Sequence, residues 1–375
     1  MRSLVLIVPG SLETRTGGYG YDRRIVAGLR DSGWTVDVRE LDGSFPFPTA
    51  AARADAVRVL ASIAENATVL VDGLALGVLP AEIEHEAARL RIVALVHHPL
   101  AAETGIDQET AEALETSERR ALAAVQSVVV TSRATAGALR RYGVGPDRVT
   151  VVEPGTDPAR LARSQRSAFT AASAPPDSHP SDVTLLCVAT LTPRKGHALL
   201  FRALASIRTP NWRLICAGSL DRDPETVASL RAQLRAGGLD TRVELVGDRD
   251  AAALDADYDA ADLFVLPTLY EGYGMAVAEA LARGLPVIST ATGAIEDLVI
   301  GGAAGHESLH PAGIVVQPGD VDALAAALAR VLGDADFRSR LASGAREKRG
   351  RLARWEDACA HMADVLDRAS GAGHG

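Results

Sequence analysis

The chain is short of several things that would decide its class at once. Its three cysteines, Cys187, Cys216 and Cys359, lie far apart and form no C-x-x-C pair, so there is neither a disulfide framework nor a thiolate zinc site to read. Cys187 and Cys216 fall inside apolar runs, where a small buried thiol is expected. No run of about 18 apolar residues exists, which argues against a membrane-spanning helix. The apolar stretch in MRSLVLIVPGS is shorter than the core of an export signal, and a glycine-rich turn follows it, so a cytoplasmic location is expected. Excess basic charge is also missing: the net charge is −9 and the pI about 5.5, which speaks against nucleic-acid binding by bulk charge. Lysine is nearly absent. Of 39 basic residues only Lys195 and Lys348 are lysines, and Lys195 stands in a loop.

What is present describes an ordinary globular protein of 375 residues, 47% hydrophobic and 23% charged, with a length that suggests two domains. Short apolar runs alternate with longer amphipathic stretches. The expected strands of the first half are 4–9, 35–41, 68–72, 92–97, 127–131 and 149–152, with helices at 21–32, 50–65, 81–90, 108–124 and 134–142. A second alternation places strands at 184–190, 212–217, 243–246, 263–266, 286–290 and 313–316, and helices at 197–207, 224–236, 251–260, 274–283 and 321–332. The tail from 336 to 368 has a helical pattern almost throughout. Continuous apolar strands alternating with helices indicate parallel sheets covered on both faces. The Ser-, Ala- and Pro-rich stretch SQRSAFTAASAPPDSHPSD reads as a linker. The expected organisation is therefore α/β: residues 1–165 as one Rossmann-like domain, 166–182 as linker, 183–350 as a second such domain, and 351–370 as a closing helix. Ligands of doubly wound sheets bind at the carboxyl ends of the strands, so a site is expected in a cleft where the two domains face each other.

The most informative stretch is LPTLYEGYGMAVAEALARGLPVISTATGAIEDL, residues 266–298. A buried strand ends, a polar loop with Glu271, Gly272, Tyr273 and Gly274 follows, and a helix begins. Glycines let a ligand approach the backbone, and free N–H groups at a helix start suit phosphate. Glu279 lies about 7–8 Å further along that helix at 1.5 Å per residue. A carboxylate there has the right reach for a ribose diol, with Glu271 facing whatever lies beyond the phosphates.

Glu271 and Glu279 enclose seven residues, and this E-x7-E block with its glycines resembles the signature of the retaining GT-B glycosyltransferases of family 4. TGGYGYDRRIVAGL (16–29) is similar to that family's N-terminal glycine loop, VATLTPRKGH (188–197) to the opening of its C-terminal domain, and ARWEDACAHMADVL (353–366) to its closing helix, which implies that 351–370 crosses back to the N-terminal domain. The resemblance implies a GT-B fold of two Rossmann-like domains. It also implies transfer of a hexosyl group from a nucleotide-diphospho-sugar, UDP- or GDP-linked, to the hydroxyl of a small-molecule or glycan acceptor, with no cofactor and no metal. Carried onto this chain, Glu279 holds the ribose, and Glu271 with Gly272, Tyr273, Gly274 and Met275 holds sugar and diphosphate. Lys195 pairs with the diphosphate, and Gly17 and Gly18 approach it from the N-terminal domain. His97 stands beside the reacting sugar, with His98 and Glu103 toward the acceptor.

One departure bears on the chemistry. Ala189-Thr190 stands where the family usually has Gly-Arg, so a phosphate-binding arginine is missing, and Arg194, next to Lys195, is the expected substitute. The D-x-D triplets at 221–223, 248–250 and 255–257 are read as loop and helix acids, not metal ligands. A dinucleotide oxidoreductase is disfavoured because the third glycine of G-x-G-x-x-G is absent after Gly18 and Gly20. A nucleotide-sugar epimerase on the same fold is the nearer alternative.

Overall fold

The computed structural model describes residues 2–165, 182–209, 211–301 and 310–371. The chain divides into two units, Met1–Gly155 with Ala353–Gly375, and Thr156–Leu352. The chain thus changes unit earlier than the boundary expected at 165. The reason lies in the segment 156–165: the Ala162 N–H donates to the Arg283 carbonyl at 2.9 Å, Arg349 donates to the Ala159 carbonyl, and Ala162 is buried in the second core. The linker expected at 166–182 lies, apart from Asp182, outside the described residues.

The first unit is built on β1 (Ser3–Pro9), β2 (Thr35–Leu41), β3 (Thr68–Asp72), β4 (Arg91–Val96), β5 (Ser127–Val130) and β6 (Val149–Val151), all parallel in the order β2-β1-β3-β4-β5-β6. Central β3 is buried along its whole length, as a strand covered on both faces must be, whereas edge strand β2 buries only Val36 and Leu41, with Val38 half-buried and its other residues exposed. The second unit uses β7 (Val183–Val188), β8 (Trp212–Ala217), β9 (Val243–Gly247), β10 (Leu263–Leu266), β11 (Val287–Thr290) and β12 (Gly313–Val316), again parallel, in the order β12-β11-β10-β7-β8-β9. Each order reverses once, between β1 and β3 and between β7 and β10. There the loops leaving neighbouring strands turn to opposite faces and open a crevice at the carboxyl edge.

Most helices stand where the apolar period put them, and the differences are local. The first helix runs Gly17–Asp31, starting earlier than expected because the Thr16 hydroxyl caps it by accepting the Tyr19 N–H. Gly17 and Gly18 are therefore the first helical residues, not a loop. The helices Gly73–Leu76 and Ile295–Val299 escaped the sequence pattern because they are too short to show a period. The closing helix Trp355–Ala369 packs on the first helix. Trp355 lies against Tyr21 with ring centroids 6.0 Å apart, and the Arg24 guanidinium sits 5.2 Å over the Trp355 ring. Among the described residues no helix is long and apolar enough to cross a membrane.

A buried acid ties down the chain that follows β4. Glu118, in the helix Gln108–Ala124, is fully buried, and its Oε2 accepts the Leu100 N–H at 2.9 Å. Burial pushes this carboxyl up to about 8, against the opposing pull of the Leu100 N–H and Arg141. The folded state thus keeps a proton that the unfolded chain has lost, and stability falls as pH rises from the ordinary glutamate range toward 8. The slope from this group is at most about 1.4 kcal/mol per pH unit. Glu118→Gln should flatten that dependence. Urea unfolding at pH 5.5 and 7.5 tests it, and an equal pH response in the two proteins would contradict the assignment.

Candidate active site

The reversal point of the second sheet gathers the residues singled out in sequence. The loop after β7 carries a 3-10 turn, Pro193–Lys195, and the loop after β10 carries Glu271. The two are laced together by backbone. The Leu269 N–H donates to the Arg194 carbonyl at 2.7 Å, and the Thr268 hydroxyl donates to the same oxygen at 3.1 Å. Gly196, with φ +73°, makes the closest approach: a Cβ there would stand 1.9 Å from the Pro267 carbonyl oxygen. No other residue fits this position.

On that frame the Lys195 ammonium meets the Glu271 carboxylate at 2.6 Å, each side chain only 15% exposed. The Arg194 guanidinium, next to it in the chain, donates to the Tyr270 carbonyl at 2.9 Å and so props the Glu271 loop. Gly274, with φ +98°, closes the loop and starts the helix Met275–Ala282. Gly272 is buried beside it. The Tyr273 ring packs on Ala278 and Ala294, while Met275 opens the helix half-buried.

Glu279 sits in this helix, half-buried, and is fixed by a residue that the sequence pattern did not single out. The buried Tyr258 hydroxyl, from the helix Ala251–Ala260, donates to Glu279 Oε2 at 2.9 Å, and Arg283 lies 4.3 Å over the Tyr258 ring. Burial raises the Glu279 carboxyl above the usual range, while Tyr258 and Arg283 oppose that rise and the charge of Asp157 adds to it. Four of the six D-x-D acids are engaged elsewhere: Asp223 and Asp250 cap helices, Asp255 pairs with Arg283 at 2.9 Å, and Asp257 pairs with Arg249 at 2.8 Å.

The first unit forms a separate cluster at its own reversal point. His97 directly follows β4, and its Nε2 lies 3.3 Å from Asp22 Oδ1 and 3.8 Å from Asp72 Oδ2. Asp22 comes from the first helix and Asp72 ends β3, where its Oδ1 also accepts the Leu74 N–H at 2.7 Å. Gly18, one turn before Asp22, places its backbone over the ring; a Cβ there would touch His97 Cδ2 at 3.4 Å without a clash. Tyr21 meets the ring edge-on, with centroids 5.4 Å apart. Ring burial works against the imidazolium, but Asp22 and Asp72 outweigh it and hold His97 above the usual histidine range. Asp72 is pushed up to about 7, by burial first and Asp22 second, with His97 and the Leu74 N–H pulling the other way. His98 and Glu103 stand nearby as a pair 3.6 Å apart. Gly17 is exposed at the helix start. Asp22 and Asp72 went unnoticed in the sequence, although a carboxylate ending an all-apolar strand, VLVD, was a visible signal.

The two glycines make opposite predictions. Gly196→Ala should cost about 3 kcal/mol or more of stability, because strain at positive φ adds to the Pro267 clash. Gly18→Ala should leave stability within about 0.5 kcal/mol of the parent. Thermal or urea unfolding of both decides the point.

Each unit of the chain is similar to known proteins. Residues 170–348 match the family described as glycosyl transferases group 1, and residues 70–160 match glycosyltransferase family 4. The chain is 30% identical over 278 residues to D-inositol 3-phosphate glycosyltransferase of Salinispora tropica, covering 70% of this chain and 55% of that protein. It is 32% identical over 257 residues to the Xylanimonas cellulosilytica protein of the same name, covering 68% and 59%. The aligned part thus spans little more than half the length of these relatives. Among solved structures, sucrose-phosphate synthase from Thermosynechococcus elongatus superposes with a TM-score of 0.79 at 22% identity, over the full length of both chains. Anabaena HepE, solved in complex with UDP and glucose, gives 0.74 at 18% identity over 98% of this chain and 100% of that one. With one family match falling on each α/β unit and both neighbours superposing over nearly the whole length, the chain belongs to the group 1 and family 4 glycosyltransferases and has their two-domain GT-B fold.

Proposed function

We propose that this chain is a retaining glycosyltransferase that moves a hexosyl group from a nucleotide-diphospho-sugar to an acceptor hydroxyl. One observation carries the reading: the Lys195–Glu271 pair stands at the reversal point of the second sheet, with Glu279 held by Tyr258 in the helix that begins at Gly274. The relatives carry glycosyltransferase names, and HepE was solved with UDP and glucose, so UDP-sugars are the first donors to try and GDP-sugars the next. The epimerase alternative has no comparable support.

The geometry suggests how each group acts. Glu279 accepts hydrogen bonds from a ribose diol through the oxygen that Tyr258 leaves free. The N–H groups at the start of the helix Met275–Ala282 face the diphosphate. Lys195 is paired with Glu271, so an arriving diphosphate competes for the ammonium and releases the carboxylate toward the sugar hydroxyls. As the glycosyl–oxygen bond breaks, positive charge grows at the anomeric carbon and negative charge on the departing phosphate. A fixed ammonium and oriented N–H groups stabilise that separation more than the ground state. The departing phosphate takes the acceptor proton on the same face, which retains the anomeric configuration. In this scheme a metal has no part, and the acceptor binds to the first unit, near His97, His98 and Glu103.

A thermal-shift series with UDP, GDP, ADP and dTDP identifies the nucleotide. Glu279→Ala should weaken its binding about tenfold or more, equivalent to about 1.4 kcal/mol. Unchanged affinity would remove Glu279 from the site.

Lys195→Ala should lower the single-turnover rate roughly 30- to 1000-fold, or about 2–4 kcal/mol, with transfer by the parent enzyme persisting in excess chelator. Proton NMR of the product should show a retained anomeric centre. Near-parental activity of Lys195→Ala, or an inverted product, would overturn the mechanism.

A further inference from the structure

The mechanism above makes no use of Asp22 and Asp72, yet these are the most constrained acids in the first unit. The Asp22 side chain is fully buried, and neither of its oxygens has a hydrogen-bond partner of good geometry. The Asp72 side chain is 3% exposed. Among the described residues, the only ion-pair partner of either is His97. The titratable groups facing the ring are Asp22 and Tyr21 from the first helix and Asp72 from the end of β3. The Tyr21 hydroxyl donates to the Val152 carbonyl at 3.1 Å and is held in its neutral form by burial. Among the described residues no cation other than the ring is paired with either acid, and isolated buried carboxylates are strongly disfavoured.

We propose that Asp22 and Asp72 are positioning residues that keep His97 as a doubly protonated imidazolium, with Nε2–H directed at them and Nδ1–H left as the ring's donor to a sugar or phosphate oxygen. Three features converge on this. Nε2 lies between one oxygen of each acid, at 3.3 and 3.8 Å. The acids reach the ring from two different elements, so its orientation is set from two sides. Gly18 and Asp22 are four residues apart and therefore on one face of the first helix, which places the same face against the ring as both cover and counter-charge. The second ring proton follows from charge: even with one proton held between the two acids, a neutral imidazole would leave the buried Asp22–Asp72 pair with no positive partner among the described residues. Only the identity of what Nδ1–H meets rests on the glycosyl-transfer reading; the protonation state stands apart from it.

The same three side chains bring ligand atoms within 4.8 Å of one another, so a divalent cation is the rival occupant. It excludes the proposal, because a metal would take the Nε2 lone pair that the proposal gives to a proton.

The test is a pH titration of the full chain carrying isotope-labelled histidine, with the His97 signal identified by its loss in His97→Gln. His97 should titrate above the ordinary histidine range and show two ring N–H groups at neutral pH. Asp22→Asn should lower its midpoint by about one unit or more, a tenfold loss of proton affinity, and Asp72→Asn should lower it by less. The alkaline limb of the pH–rate profile, read with UDP-glucose hydrolysis, should move the same way, which a purely structural role would not produce. A wild-type midpoint at or below the ordinary value sinks the proposal without any variant. So does an unmoved midpoint in folded Asp22→Asn, or a stoichiometric divalent metal in the purified protein that Asp22→Asn loses. Should Asp22→Asn fail to fold, Asp72→Asn is read by the same criterion. Loss of hydrolysis with the titration intact would fault the glycosyl-transfer reading and leave the imidazolium assignment standing.

Discussion

The approach of Gly196 to the Pro267 carbonyl is the constraint on which the candidate donor site depends. Two loops leave neighbouring parallel strands, β7 and β10, and must touch without a side chain between them. Because they touch, the Arg194 carbonyl can take hydrogen bonds from Leu269 and Thr268, and the Arg194 guanidinium can reach back to Tyr270. Those bonds set the height of Glu271 relative to Lys195. A side chain at position 196 would separate the loops and with them the only lysine that stands near the sheet edge.

Charge is handled differently in the two units. In the second, cation and carboxylate are joined at 2.6 Å and partly open to solvent, an arrangement that a ligand can divide and use. In the first, two carboxylates surround one histidine behind Tyr21 and Gly18, where little water is available to solvate them. Such a cluster responds to protons more than to salt, since buried pairs are weakly screened. Arg194, the expected substitute for the arginine missing at Thr190, braces the Glu271 loop through the Tyr270 carbonyl.

Much of the fold was legible because parallel strands buried on both faces are continuous apolar runs. VLVD, LFVL and VIST mark central strands without any knowledge of their partners, and the amphipathic stretches between them follow from the 3.6-residue period. The E-x7-E block was legible for a similar reason, since strand, glycine loop and helix are contiguous in the chain. What was not legible was any contact joining distant segments. The change of unit at Gly155 depends on a hydrogen bond from Ala162 to Arg283, and the start of the first helix at Gly17 depends on the Thr16 cap.

The sequence by itself determined the alternation of elements, the parallel sheets, and the placing of Lys195, Glu271 and Glu279 at strand and helix ends. These are local properties, carried by hydrophobic period, glycine and chain connectivity. Tertiary structure alone decided that Arg194 turns to Tyr270 while Lys195 turns to Glu271, that Tyr258 fixes Glu279, and that Asp22 and Asp72 meet at His97. The physical reason is that a side chain's charge and hydrogen bonds are settled by whichever groups share its burial. Strand order brings those groups together from segments that carry no mark of one another.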